Sequence, residues 1–174
     1  MFYALTTDAN GNGIGQHAYA EEPTSYPSNE IPCTQAQAQT PMAYQVVNGQ
    51  IVESLAYAKT AQIAALKYAL QKAEQAPVSL TLASGVTTSF GMTPHDWTKI
   101  VGLYAKYVAK GIALPSGYTI TDITGKAQAV IVTDIESLMN AGEAQIQATI
   151  AKAATLIGQI EAATSVQEVT ALGW

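Results

Sequence analysis

The sequence predicts an α+β fold: a small N-terminal β module, a connecting helix, and a C-terminal domain of helices and two β-hairpins that ends in a long helix and a short helix. Three observations carry this expectation. From Thr133 onward, apolar positions recur at Ile135, Met139, Gly142, Ile146, Ile150, Ala153, Ile157 and Ile160, the steps of three and four that mark one helix face. From Glu53 to Ala76 a second stretch, rich in Ala and Lys, shows the same period. Elsewhere Asn48-Gly49, Ser84-Gly85 and Thr124-Gly125 each sit between two short β-type runs, as hairpin turns do. The expected divisions are residues 1–53 for the β module with its Pro-rich loop, 54–76 for the connecting helix, and 77–174 for the C-terminal domain.

Taken in order, FYALTT (2–7) and IGQHAYA (14–20) read as strands joined by a Gly/Asn turn. The next stretch has prolines at 23, 27, 32 and 41, and is expected to be irregular and to lie on the surface. MAYQVVNGQIVE then reads as a hairpin around Asn48-Gly49. The helix over 53–76 carries two apolar stripes. One is Leu55, Ile63, Leu66 and Leu70; the other is Tyr57, Ala61, Ala64 and Tyr68, which predicts cover on more than one side.

Pro77 stops that helix, and a hairpin follows over VSLTLASGVTTSF. Thr93 as N-cap and Pro94 at the first position open the next helix, expected to bury Trp97, Ile100, Val101, Tyr104 and Val108 and to stop at Gly111. The second hairpin turns at Thr124-Gly125. The spacings Thr133/Glu136 and Ser165/Glu168 predict capping boxes for the long helix and the last short one.

Composition narrows the function. Charged residues are 12% of the chain, against about 25% in an average soluble domain. So thinly charged a surface suggests that much of it meets another chain. Eight lysines, no arginine and a net charge of -5 argue against nucleic-acid binding. Residues 1–58 hold five acids and no lysine, 59–126 seven lysines and three acids, and 127–174 five acids and one lysine. This basic middle between acidic ends suits assembly or intrachain packing. Cys33 is the single cysteine, so no internal disulfide forms. The first residues lack a basic start and a signal-length apolar core, and no apolar run approaches the roughly 20 residues of a membrane span. Synthesis and folding in a cytoplasm, without membrane association, are expected.

The search for chemistry yields no catalytic, cofactor-binding or metal-binding expectation. Asp8, Asn10, Asn12 and Gly13 match the first half of a calcium loop, but the position that needs a bidentate Glu is Tyr19, so a plain turn is expected. Gly11, Gly13 and Gly15 have the wrong spacing for a dinucleotide fingerprint and precede no helix. His17 and His95 have no partner at ligand spacing, and neither makes a spaced nucleophile pair with Cys33.

The segments AYAKTAQIAALKYALQKA, SLTLASGVTTSFGM and IEAATSVQEVTALGW together resemble a domain of unknown function from bacteriophage tail-fibre proteins. Its closing signature stands here as Ile160, Ala162, Ala163, Thr164, Glu168, Val169 and Trp174, and the likeness spans about residues 56–174. IPCTQAQAQ and the hairpin at VVNGQIV are similar to the front of tail-fibre assembly proteins. The resemblance implies a non-enzymatic tail accessory protein of a phage, prophage or tailocin, acting in the host bacterial cytoplasm during assembly or retained on the virion tail. Its implied partner is a trimeric tail fibre, bound as an assembly chaperone or a fibre-associated part. The expected interface is Tyr57, Ala61, Tyr68 and Trp174. The alternative is a structural virion subunit of the fibre or baseplate that self-assembles into a homo-oligomer.

Overall fold

Strand β1 (Phe2–Thr7) lies at the centre of an antiparallel sheet, flanked by β2 (Gly13–Tyr19) and β3 (Glu30–Cys33). The computed structural model describes residues 1–174. In register, Tyr3 stands opposite Ala18 and Cys33, and Ala4 opposite His17 and Pro32. The Pro-rich stretch expected to be irregular thus supplies a strand. Pro32 is tolerated because β3 is an edge, where a missing N–H breaks no ladder on the open side. The same stretch supplies a short helix, α1 (Gln35–Gln39), opened by a capping box. Gln37 N–H donates to Thr34 Oγ1 at 3.2 Å, and Thr34 N–H donates to Gln37 Oε1 at 2.9 Å. Helix α1 packs on β1 and β2, and Leu5 and Ala38 are fully buried.

A 3₁₀ turn at Pro41–Ala43 leads into the hairpin β4 (Tyr44–Val47) and β5 (Gln50–Glu53). Asn48 (φ 52°) and Gly49 (φ 77°) both adopt the left-handed region that a two-residue hairpin turn needs. The remaining elements are α2 (Leu55–Glu74), the hairpin β6 (Val78–Thr81) and β7 (Thr87–Phe90), α3 (Pro94–Leu103) continuing into a π-helical segment (Tyr104–Ala109), the hairpin β8 (Thr119–Thr121) and β9 (Ala127–Ala129), α4 (Val132–Ala162) and α5 (Val166–Ala171).

Three hairpins share one turn. At Asp8, Leu82 and Asp122, the residue's N–H donates to the carbonyl four positions on, and its carbonyl accepts from the glycine three positions on. Gly11, Gly85 and Gly125 accordingly have φ of 81°, 84° and 83°. The pattern is a three-residue loop with glycine at its left-handed position.

The chain forms two compact units, one of residues 1–66 and 156–174, the other of 67–155. Their limits fall inside α2 and α4, whereas the sequence reading divides the chain at 53 and 76. In the first unit Leu66, Ile160, Ala163 and Val169 form a core, with Leu55, Ile63 and Leu156 packed against it. In the second, Val78, Leu82, Phe90, Met92, Ile100, Val130 and Leu138 do so. Helix α4 comes close to its neighbours through Gly142: a Cβ there would lie 2.3 Å from Met92 Cε and 2.6 Å from Trp97 Cζ3.

Several expectations need correction. The α4 capping box at Thr133/Glu136 does not form. The helix begins one residue earlier, at Val132, and Asp134 serves its start by accepting from Ile131 N–H at 2.9 Å. The other Asp134 oxygen accepts from Ala83 N–H at 2.7 Å, tying the β6–β7 turn to the helix start. Ser165 does cap α5, accepting from Glu168 N–H at 3.2 Å, but the Glu168 carboxylate accepts from Thr164 N–H at 2.6 Å, one residue before the N-cap. In α3, Val101 is 38% exposed, and the buried face runs through Ile100 and Tyr107. The reason is tertiary: the Tyr107 ring packs 5.9 Å from that of Tyr118.

Candidate protein-interaction surface

Helix α2 shows two chemically different faces. Leu66 is buried, while Leu55, Ala58 and Ile63 are half-buried against the first unit's core. The second stripe is expected from sequence to be covered, yet every member is exposed: Tyr57 at 41%, Tyr68 at 73%, and Ala61 and Ala64 with them. At about 100° per residue these four positions fall within roughly 60° of the helix circumference. They make a narrow strip of two aromatic rings separated by methyl groups. Small residues between large ones allow a second helix or strand to approach closely. Tyrosine offers large rigid area and a hydroxyl at low entropy cost, which suits an interface.

Of the four expected interface residues, the structure aligns Tyr57, Ala61 and Tyr68 along one helix. Trp174 lies beyond α5 in the first unit and is 39% exposed. That corner is fastened by Gln62, whose Nε2 donates to the Leu172 carbonyl, and by Lys59, whose Nζ donates to the Glu161 carbonyl at 2.8 Å.

No family model matches the chain, and no curated protein and no solved structure does either.

Sequence reasoning missed a polar cluster on one face of the first sheet. The register puts His17 and Tyr19 of β2 on the same face as Glu30 of β3, with β1 between them. Ala4, Thr6 and Gly15 are the intervening residues on that face, short enough for Glu30 to reach across. Glu30 Oε1 lies 3.2 Å from His17 Nδ1, and Tyr19 OH donates to Glu30 Oε2. The His17 and Tyr19 rings stack at 4.4 Å, and Tyr26 meets Tyr19 edge-on at 5.7 Å. The Tyr19 hydrogen bond, then His17, hold the Glu30 carboxyl below its ordinary range. In return the Glu30 carboxylate pushes Tyr19 up to about 12. The signal was a His-x-Tyr alternation, visible in β2, but its partner became apparent only with the strand order.

Other polar residues serve the fold. Asp8 Oδ1 accepts from Asn10 and Asn12 N–H at 2.8 and 2.9 Å, and its second oxygen accepts from the Asn12 side chain. These bonds, led by the Asn12 side chain, lower its carboxyl and orient it into its own turn. Asp122 accepts from Thr88, Thr124, Lys126 and Gln128 at 2.6–3.0 Å, joining β7 to the β8–β9 hairpin. Thr124 and then Gln128 are the main causes that hold it far below the usual carboxylate range. Cys33 pairs with Tyr3, so its side chain leaves the sheet on the face opposite His17, and burial pushes its thiol up. A Cys33/His17 nucleophile pair is therefore geometrically excluded. No helix is long and apolar enough to cross a membrane.

Proposed function

We propose that this chain is a non-enzymatic tail accessory protein of a bacteriophage, prophage or tailocin, which binds a tail fibre through the outward face of α2. The observation that carries the reading is the exposed Tyr57–Ala61–Ala64–Tyr68 strip. A thinly charged surface supports it, as does the resemblance of residues 56–174 to a tail-fibre domain. The apolar surfaces of a fibre remain unprotected until it trimerises, and an apolar, weakly charged helical face is suited to cover them and suppress aggregation.

The test is co-purification of the full chain with the tail fibre of its parent phage, prophage or tailocin, comparing the parent chain with Tyr57→Asp/Tyr68→Asp. Loss of two aromatic anchors is expected to weaken the complex by about 30-fold or more. Unchanged recovery of the fibre refutes the assignment of the strip. A stable homo-oligomer of the isolated parent, dissolved by the same double variant, assigns the strip to self-assembly instead. Peptide mass spectrometry of purified particles then separates a retained component, present at fibre stoichiometry, from a chaperone found only in lysate.

A further inference from the structure

Three Asn-Gly pairs stand in the first unit: Asn10-Gly11, Asn12-Gly13 and Asn48-Gly49. Asparagine before glycine is prone to lose its side-chain amide, because the glycine nitrogen, with no Cβ beside it, can approach the asparagine Cγ. The reaction needs a peptide nitrogen free to give up its proton, a side chain free to turn toward it, and a backbone free to rotate between them. The fold withholds these freedoms from the first two pairs and grants them to the third.

At Asn10-Gly11 the nitrogen is held. Gly11 N–H donates to the Asp8 carbonyl at 3.0 Å, and the Gly11 carbonyl accepts from Val46 N–H at 2.8 Å, so the glycine is fixed at both polar groups. At Asn12-Gly13 the side chain is held, its Nδ2 donating to Asp8 Oδ2 at 2.9 Å. Gly13 is buried, close against the carbonyls of Pro41 and Tyr44. The Asp8 carboxylate beside both pairs also opposes negative charge developing on either glycine nitrogen.

Asn48-Gly49 has none of these restraints. The ladder closes at Val47 and Gln50, which leaves the Gly49 N–H outside it. No hydrogen bond engages that N–H or the Asn48 side chain. Residues Val47 to Gln50 are all exposed, and nothing lies within 4 Å of where a Cβ on Gly49 would sit. The remaining asparagines are less reactive by sequence: Asn29 precedes Glu30, and Asn140 precedes Ala141 inside α4, so a Cβ crowds the nitrogen in each.

We propose that Asn48 is a site of spontaneous covalent modification, converting through a cyclic imide to aspartate and isoaspartate. The Gly49 nitrogen, its proton taken by hydroxide, bonds to Asn48 Cγ, and the Cγ–Nδ2 bond breaks to release ammonia. Water then opens the imide. Addition at Cγ gives aspartate; addition at the main-chain carbonyl reroutes the backbone through the side chain and gives isoaspartate. One water is taken up and one ammonia lost, with no oxidant or reductant. Either product adds a carboxylate to the segment 1–58, which already holds five acids and no lysine. Isoaspartate also lengthens a loop whose two-residue length sets the pairing of Val47 with Gln50. This site is separate from the α2 strip, and its test does not involve the fibre.

The experiment is prolonged incubation of the full chain in mildly alkaline buffer, followed by peptide mapping by mass spectrometry. Isoaspartate is read separately, as methyl groups accepted from an isoaspartyl methyltransferase. Asn48 is expected to convert about tenfold faster than Asn10 and Asn12, or more, while Asn29 and Asn140 stay intact. In urea the restraints at Asp8 are gone, and the three pairs are expected to convert at comparable rates. Asn48→Gln is expected to remove most methyl acceptance from the folded chain. Conversion of Asn10 or Asn12 as fast as Asn48 in the folded chain overturns the proposal. So does survival of Asn48 in the folded chain when the unfolded chain has lost it, or the same spread of rates in urea as in buffer.

Discussion

Two glycines in α4 should respond oppositely to the same substitution. In a helix interior Gly→Ala gains about 1 kcal/mol, because alanine loses less backbone freedom on folding. At Gly158 nothing lies within 4 Å of the new methyl group, so Gly158→Ala should realise that gain in full. At Gly142 the methyl carbon would lie 2.3 Å from Met92 Cε and 2.6 Å from Trp97 Cζ3, both closer than real carbon contacts allow. Met92 can swing its terminal methyl group, although it is only 3% exposed. The Trp97 ring is rigid and must move as a body. Overpacking of this kind costs about 1–3 kcal/mol, which outweighs the propensity gain and leaves Gly142→Ala about 1 kcal/mol less stable than the parent. The two variants should thus differ by about 2 kcal/mol. Urea unfolding followed by circular dichroism measures it, as a fall in midpoint for Gly142→Ala and a rise for Gly158→Ala at constant slope. In a thermal scan each should move Tm by about 3 °C, in opposite directions. If Gly142→Ala stabilises as much as Gly158→Ala, close packing of α4 on Met92 and Trp97 is refuted.

Ile160 is fully buried beside Leu66 and Val169, so Ile160→Ala should cost about 3 kcal/mol in urea unfolding; a loss under about 1 kcal/mol would remove it from that core. Glu30→Gln should return the Tyr19 titration from about 12 toward the ordinary tyrosine value of about 10, read as phenolate absorbance. The signs follow from the two shifts. The depressed Glu30 carboxyl stabilises the fold above its ordinary range and ceases to do so as pH falls through its folded value, while the raised Tyr19 contributes below about 10 and is lost as pH rises through about 12. Asp122→Ala should expose the β8–β9 turn to hydrogen exchange at Thr124 and Lys126 while leaving the Asp8 turn protected; equal protection in variant and parent would count against the carboxylate as organiser of that hairpin.

What was legible in the sequence were the features set by near neighbours. Period and turn chemistry gave α2, α4 and the hairpins at Asn48-Gly49, Ser84-Gly85 and Thr124-Gly125, because each depends on residues a few positions apart. Proline restricts an edge strand less than a central one. Pro32 lies in an edge strand, and Thr34 with Gln37 had the spacing of a capping box all along. What could not be read required partners from afar. Asp134 leaves no local trace of its bond to Ala83, and Glu30 reaches His17 only because β1 lies between their strands and carries Ala4 and Thr6 there. The exposure of Tyr57 and Tyr68 had the same cause, since a stripe of apolar residues has one pattern whether its cover comes from this chain or another.

The first unit takes its residues from both ends of the chain, 1–66 and 156–174. Leu66 can meet Ile160 and Val169 only after the intervening stretch has been made. During vectorial synthesis the N-terminal sheet can pair at once, but the apolar face of α2 near Leu66 must wait, unsheltered, until Ile160 and Val169 have been made. A chain released between Thr155 and Ile160 would have its second unit complete and a first that cannot close. Synthesis through α5 is thereby coupled to concealment of a sticky helix face, so that products stopped before it carry a mark by which chaperones and proteases can recognise them.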